Sequence, residues 1–205
     1  LLLRMLDEQG QAVPPMHFLP AAERFGMMSA IDRWVVSAAF ERLGGSAAAP
    51  GLCAINLSAA SLCDERFLDF VLAERERHGV RASQVCFEIT ETAVISHFHN
   101  ALRCIERLRE LGFRFALDDF GTGMSSFAYL KRLPVDFLKI DGAFVKDMLH
   151  NPVDLAMVEA INHIGHVMGL RTVAEFVEHD ATRQRLSAIG VDFVQGYGIG
   201  RPAPF

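Results

Sequence analysis

The sequence predicts an α/β protein built as a TIM-like (β/α)8 barrel, with its working face at the C-terminal ends of the strands. Three observations point there. Between residues 50 and 196, short apolar, β-branched or aromatic runs alternate with longer segments of helical periodicity. Repeated strand-then-helix order calls for a parallel sheet with right-handed crossovers. Successive strands end in a carboxylate, an amide or an ammonium group. An open doubly wound sheet shares the alternation but gathers few strand ends at its switch point, whereas in a barrel every C-terminal strand end faces one mouth. The polar strand ends therefore favour the barrel.

The strands are expected at Leu1–Met5, Leu52–Asn56, Val85–Ile89, Arg114–Leu117, Phe137–Ile140, Thr172–Ala174 and Phe193–Gln195. Helical periodicity marks Ala21–Met28 with Ile31–Leu43, Phe67–His78, His99–Leu111, Phe127–Leu133, Val153–Met168 and Thr182–Ile189. Gly112 and Gly169 follow two of these, and Asn151-Pro152 opens another, as helix ends and starts require. Gly45–Gly51 is the one loop of low complexity, and no linker interrupts the rest, so a single domain over residues 1–205 is expected.

Apolar residues make up 51% of the 205, enough for a large core, yet no apolar run approaches the about 18 residues of a membrane span. A net charge of −5 without clustered cations argues against a nucleic-acid polymer as partner. A small anionic ligand stays open if metal supplies the positive charge. Cys53, Cys63, Cys86 and Cys104 fit neither a redox pair nor a zinc knuckle and read as core residues of a cytoplasmic protein. The N-terminus has no signal peptide and starts within an expected strand, which suggests a segment cut from a longer chain.

The strand ends carry the chemistry. Asn56, Glu88, Asp118-Asp119, Lys139 with Asp141, Glu175 and Gln195 close their apolar runs. Five carboxylates in one mouth repel each other unless cations or raised pKa values relieve the charge. With only oxygen donors at the strand ends, hard ions such as Mg²⁺ or Mn²⁺ are favoured over zinc. Adjacent aspartates suit a pair of ions about 3.5–4 Å apart, which clamp the oxygens of phosphoryl transfer and lower the pKa of bound water. Lys139, one of three lysines, could orient that water or stabilise charge at phosphorus. The bland alternative is a set of solvent-facing strand termini.

These motifs resemble the EAL-domain family of cyclic di-GMP phosphodiesterases. The resemblance is carried by Leu-Leu-Arg at 2–4, Phe-Leu-Pro-Ala-Ala-Glu at 18–23, Ile-Asp-Arg-Trp-Val at 31–35, Asn-Leu-Ser at 56–58 and Glu-Ile-Thr-Glu at 88–91. It continues through Asp-Asp-Phe-Gly-Thr-Gly at 118–123, Leu-Lys-Ile-Asp at 138–141, Ala-Glu and Val-Glu at 174–175 and 177–178, and Gln-Gly-Tyr at 195–197. It implies an EAL-type barrel that hydrolyses one phosphodiester bond of cyclic di-GMP to linear pGpG by a two-metal mechanism. Asn56, Glu88, Asp118 and Asp119 match metal ligands; Glu175 matches a ligand or general base, and Lys139 the lysine that contacts the attacking water. Glu91 matches the glutamate that pins the loop after the Asp-Asp pair. Leu3, Arg4, Glu23, Asp141 and Gln195 match positions around the dinucleotide, and Glu178, Gly121 and Gly123 belong to the supporting loops. The resemblance further implies two Mg²⁺ or Mn²⁺ ions, Ca²⁺ binding without turnover, a homodimer, and a GGDEF or sensor domain in the full-length protein, which could itself be membrane-anchored.

Three departures stand out. The glutamate that names the family would precede Leu1. Phe176 takes the place of a usual glycine beside Glu175, and Met124 replaces a common aromatic. Family members that lose metal ligands act as cyclic di-GMP receptors, but every ligand position within the chain is retained, which favours the enzyme. A different Mg²⁺-dependent barrel enzyme, acting through an enolate, is disfavoured by the Asp-Asp-Phe-Gly-Thr-Gly loop. Glu159, His163 and His166 form a possible zinc face on one helix but lack a further strong ligand.

Overall fold

The computed structural model describes residues 1–44, 51–121 and 127–204. Gly123, Met124 and residues 45–50 of the expected low-complexity loop lie outside the described residues. The chain divides into two compact units, Leu1–Phe87 with His97–Arg114, and Glu88–Ser96 with Phe115–Phe205. The strands β3 (Cys53–Asn56), β4 (Val85–Thr90), β5 (Arg114–Phe120), β6 (Phe137–Ile140), β7 (Arg171–Ala174) and β8 (Phe193–Val194) follow one another in chain order in one sheet. From β5 to β8 the pairing is parallel.

One expected strand is corrected. Leu1–Met5 does not form a strand; residues 1–4 stay outside any ladder, and the strand that does form, β1 (Met5–Leu6), pairs antiparallel with β2 (Ala12–Val13). The cause is local turn chemistry. The Asp7 carboxylate accepts from the backbone N–H of Gln9 and Gln11 at 3.0 and 2.7 Å, and Gly10 supplies a positive φ of 77°, so the chain reverses at once into a hairpin.

In the first unit, α1 (Pro15–Arg24) starts earlier than the expected Ala21, because Pro15 stands at its first turn, where a missing N–H costs nothing. Helix α2 (Met28–Gly44) follows, then α3 (Ala59–Leu62) and α4 (Glu65–His78). The last is bounded by an Asp64 N-cap, which accepts from Arg66 N–H at 3.0 Å, and by Gly79 in the left-handed conformation. Helix α6 (Phe98–Glu110) buries Ala101, Ile105 and Leu108, the four- and three-residue spacing of one helix face. Phe113 stacks on Phe40 and tilts against Phe87, with ring centroids 6.2 and 5.5 Å away.

The second unit holds α5 (Glu91–Ser96), α7 (Phe127–Leu130), α8 (Gly142–Asp147), α9 (Pro152–Val167) and α10 (Asp180–Ile189). Strands β5 and β6 are buried through their centres, as parallel strands covered on both faces must be. The short helices α3, α5 and α8 start within three residues of the ends of β3, β4 and β6. They turn the chain immediately beyond the polar strand ends and so fix the direction in which it leaves the sheet.

Phe40 is fully buried and carries the aromatic stack of the first unit. Phe40→Ala is expected to cost about 3–5 kcal/mol and to lower the melting temperature by roughly 6–20 °C. Differential scanning calorimetry checks this; an unchanged transition would mean that the stack contributes nothing.

Candidate functional site

The site grows from the pairing of β5 with β6. Leu117 lies opposite Leu138 and Phe120 opposite Ile140, so Asp118 and Asp119 together span the length that Lys139 alone spans on β6. This is a β-bulge. In a regular strand neighbouring side chains point to opposite faces. Here Asp119 adopts a φ of 55°, and oxygens of Asp118, Asp119 and Glu175 come within 4.8 Å of one another.

Lys139 binds the cluster together. Its Nζ lies 3.1 Å from Glu88, 2.9 Å from Asp118 and 2.7 Å from Glu175, with the lysine only 3% exposed. Glu88 comes from β4, Asp118 from β5, and Glu175 directly follows β7, where its backbone N–H donates to the Ile140 carbonyl at 3.2 Å.

One ammonium cannot neutralise this many carboxylates. Burial alone would lower the Lys139 pKa, but Glu88, Asp118 and Glu175 outweigh it and hold the ammonium firmly protonated. Glu175 is nevertheless pushed up to about 7: burial, Asp118 and Glu88 together exceed the pull of its own bond to Lys139. Asp119 is pushed up to about 6, by burial first and then by repulsion from Asp118 and Asp141. A group of hard oxygen donors in which Glu175 and Asp119 resist ionising fits a divalent cation of the Mg²⁺ or Mn²⁺ class.

Around the cluster, Glu91 is 1% exposed and its Oε2 accepts from the Gly121 N–H at 3.1 Å, fixing the chain where it leaves the bulge. Gly121 has a φ of 103°, and a side chain there would run into Phe144 and Ile161. Asp141 caps α8, accepting from Ala143 N–H at 2.6 Å. Gln195 is tied by its backbone to the end of β7: its N–H donates to Ala174 and its carbonyl accepts from Val177, at 2.8 and 3.0 Å. Glu178 is exposed, and Gly198 packs on its backbone carbonyl.

Phe176, beside Glu175, holds a backbone conformation that glycine adopts most readily. Its φ is 54°, a left-handed conformation that costs a non-glycine residue about 1–2 kcal/mol. The ring offsets this by lying against Gly142, where a Cβ would overlap it, and by receiving the Lys146 ammonium 4.1 Å from its centroid. The Glu175 carboxylate still reaches Lys139 at 2.7 Å.

In the first unit, Asn56 is the exposed last residue of β3. Leu3 and Arg4 line an apolar cavity of about 500 Å³ with Phe25 and Trp34, while Glu23 sits exposed on α1. On the expected zinc face, two of the three residues have other partners. His166 Nε2 lies 2.8 Å from Asp192, and Glu159 pairs with Arg185 at 3.0 Å. Among the described residues, the group placed to share an ion is Asp118, Asp119 and Glu175. Sequence reasoning missed Asp32, Ser58 and Ser61, which converge within hydrogen-bond distance beyond Asn56. The signal available was a serine two residues past a strand-end amide, a residue type that caps helices.

The raised acids set a testable pH dependence. Glu175 and Asp119 are harder to ionise in the fold than in the unfolded chain, so above about pH 5 the folded state holds the extra protons and stability falls as pH rises through about 7. Without divalent cations, the melting temperature is expected to drop between about pH 5 and 8. Glu175→Gln, which has no charge to bury, should flatten that slope; identical slopes would contradict the assignment.

Residues 1–202 match the EAL domain family. Cyclic di-GMP phosphodiesterase PdeB of Shewanella oneidensis is 44% identical over 206 residues, covering 100% of this chain and 24% of that protein. Cyclic di-GMP phosphodiesterase PdeF of Escherichia coli is 37% identical over 206 residues, covering 100% of this chain and 28% of that protein. The chain thus spans about a quarter of the length of these two relatives. The solved PaMucR phosphodiesterase in complex with c-di-GMP superposes with a TM-score of 0.93 at 36% identity, over 99% of this chain and 83% of that one. With the parallel strand order above, this establishes the α/β, TIM-like fold class.

Proposed function

The chain belongs to the EAL domain family, and on that premise we propose that it hydrolyses one phosphodiester bond of cyclic di-GMP to give linear pGpG. The observation that carries this is the convergence of Glu88, Asp118 and Glu175 on the Lys139 ammonium, with Asp119 brought alongside by the bulge. Asn56, Glu88, Asp118, Asp119 and Glu175 are the residues that would hold two Mg²⁺ or Mn²⁺ ions. When bound, such a pair polarises phosphoryl oxygens and makes coordinated water acidic near neutrality.

The chain's own groups do the rest. Lys139, kept protonated by its carboxylates, donates hydrogen bonds that orient the attacking water. Glu175, with a pKa of about 7, is matched to accept that water's proton at neutral pH. Arg4 offers a planar fork to a phosphate, and Leu3, Glu23, Asp141 and Gln195 contact the dinucleotide. Glu91 and Gly121 keep the bulge in register, and Glu178 supports the neighbouring loop. Ca²⁺, larger and looser in its coordination, binds these oxygens without supporting turnover. Residues 1–205 act as one EAL domain, as a homodimer in the cytoplasm, within a protein that also carries a GGDEF or sensor domain. Among the described residues no helix is long and apolar enough to cross a membrane.

Incubating the full-length protein with cyclic di-GMP and Mg²⁺ or Mn²⁺, and following pGpG by chromatography, tests the proposal. Turnover is expected, and Glu175→Ala should lower it by at least about a hundredfold, the usual contribution of a general base, while sparing dinucleotide binding in Ca²⁺. Tight binding without turnover in the wild type would make the protein a receptor instead.

A further inference from the structure

Asp32 is a carboxylate of α2, 4% exposed, in the unit that also contains Asn56. Burying a carboxylate is costly unless its lone pairs are filled. Its Oδ2 accepts from the Ser58 backbone N–H at 2.9 Å, from the Ser58 hydroxyl at 2.6 Å and from the Ser61 hydroxyl at 2.7 Å. The Ser58 hydroxyl in turn accepts from Ser61 N–H at 3.4 Å as the N-cap of α3. A helix that begins here is therefore tied to α2 through one buried oxygen.

The position of that tie matters. Asn56 is the last residue of β3, so the strand fixes it from one side only. Beyond it the chain path is set by Leu57, 4% exposed, and then by Ser58. Only two soft dihedrals per residue separate the pinned Ser58 from Asn56, so an anchor at Ser58 limits how the Asn56 backbone can turn.

We propose that Asp32 is a positioning residue for Asn56: by gripping Ser58 it sets the direction in which the Asn56 side chain leaves the end of β3. The proposal rests on the assignment of Asn56 as a metal ligand. It adds a residue remote in sequence and not itself a ligand. Ser61 provides an internal contrast, since it bonds the same carboxylate but lies on α3, past the turn that follows Asn56.

The test is Mn²⁺ affinity without dinucleotide, read by electron paramagnetic resonance of the free ion, together with the melting temperature of each variant. Asp32→Ala is expected to weaken Mn²⁺ binding roughly tenfold, in the range seen when partners behind metal ligands are removed. Asp32→Asn, which retains an acceptor oxygen, should recover part of that loss. Ser61→Ala should lower the melting temperature and leave Mn²⁺ affinity unchanged. In an Asn56→Ala background, Asp32→Ala should weaken binding no further, because the residue it positions is gone. Equal weakening in both backgrounds would reduce Asp32 to a general structural role and overturn the proposal. So would wild-type affinity in Asp32→Ala while Asn56→Ala binds weakly. Wild-type affinity in Asn56→Ala itself would overturn the ligand assignment, and the proposal with it. Should Asp32→Ala not fold, Asp32→Asn carries the same cycle, with a smaller loss that must also vanish in the Asn56→Ala background.

Discussion

A single ammonium group, on Lys139 in the middle of the sheet, faces Glu88, Asp118 and Glu175 at 3.1 Å or less. The arrangement is not there for stability. A buried ion pair recovers at best the cost of drying its charges, and here the carboxylates outnumber the ammonium. The result is visible in Glu175, whose pKa sits near 7 although it makes the shortest of the three contacts. A fold that gathers more negative charge than its own cation can balance is prepared for further positive charge, and the oxygen-only donor set selects hard divalent ions.

Backbone geometry creates that excess. The bulge at Asp118-Asp119 turns two neighbours toward one side, and Asp119 and Phe176 both hold left-handed backbone conformations within the same site. Strain of this kind persists only where packing over-determines it. The bond from Gly121 to Glu91 and the seat of the Phe176 ring on Gly142 are the contacts that do so. The phenylalanine, which from the sequence threatens to displace Glu175, is accommodated because Gly142 leaves it room.

Much of the fold was legible because parallel strands buried on both faces are short apolar runs, and each such run from Cys53 onward became a strand near its expected place. The polar residue ending each apolar run marked the site because a charge set beside so much apolar surface is costly without partners, although the strands run past several of them, with Glu88 inside β4, Asp118 inside β5 and Lys139 inside β6. What was not legible is of two kinds. Local turn chemistry won over apolar character at the N-terminus, where Asp7 and Gly10 fold Met5–Leu6 into a hairpin. Helices α3, α5 and α8 were too short to show a period. Long-range pairing was hidden as well. The bulge depends on register against β6, and Asp32 meets Ser58 and Ser61 from 26 and 29 residues away.

The proposed function requires that this charge excess hold two divalent cations around a phosphodiester. Counting bound Mn²⁺ per chain at saturation, with cyclic di-GMP present, tests it most directly. Two ions are expected in the wild type, and one fewer in Asp119→Asn, whose partner aspartate on the bulge remains. No saturable Mn²⁺ binding, or the same count in the variant, would contradict it.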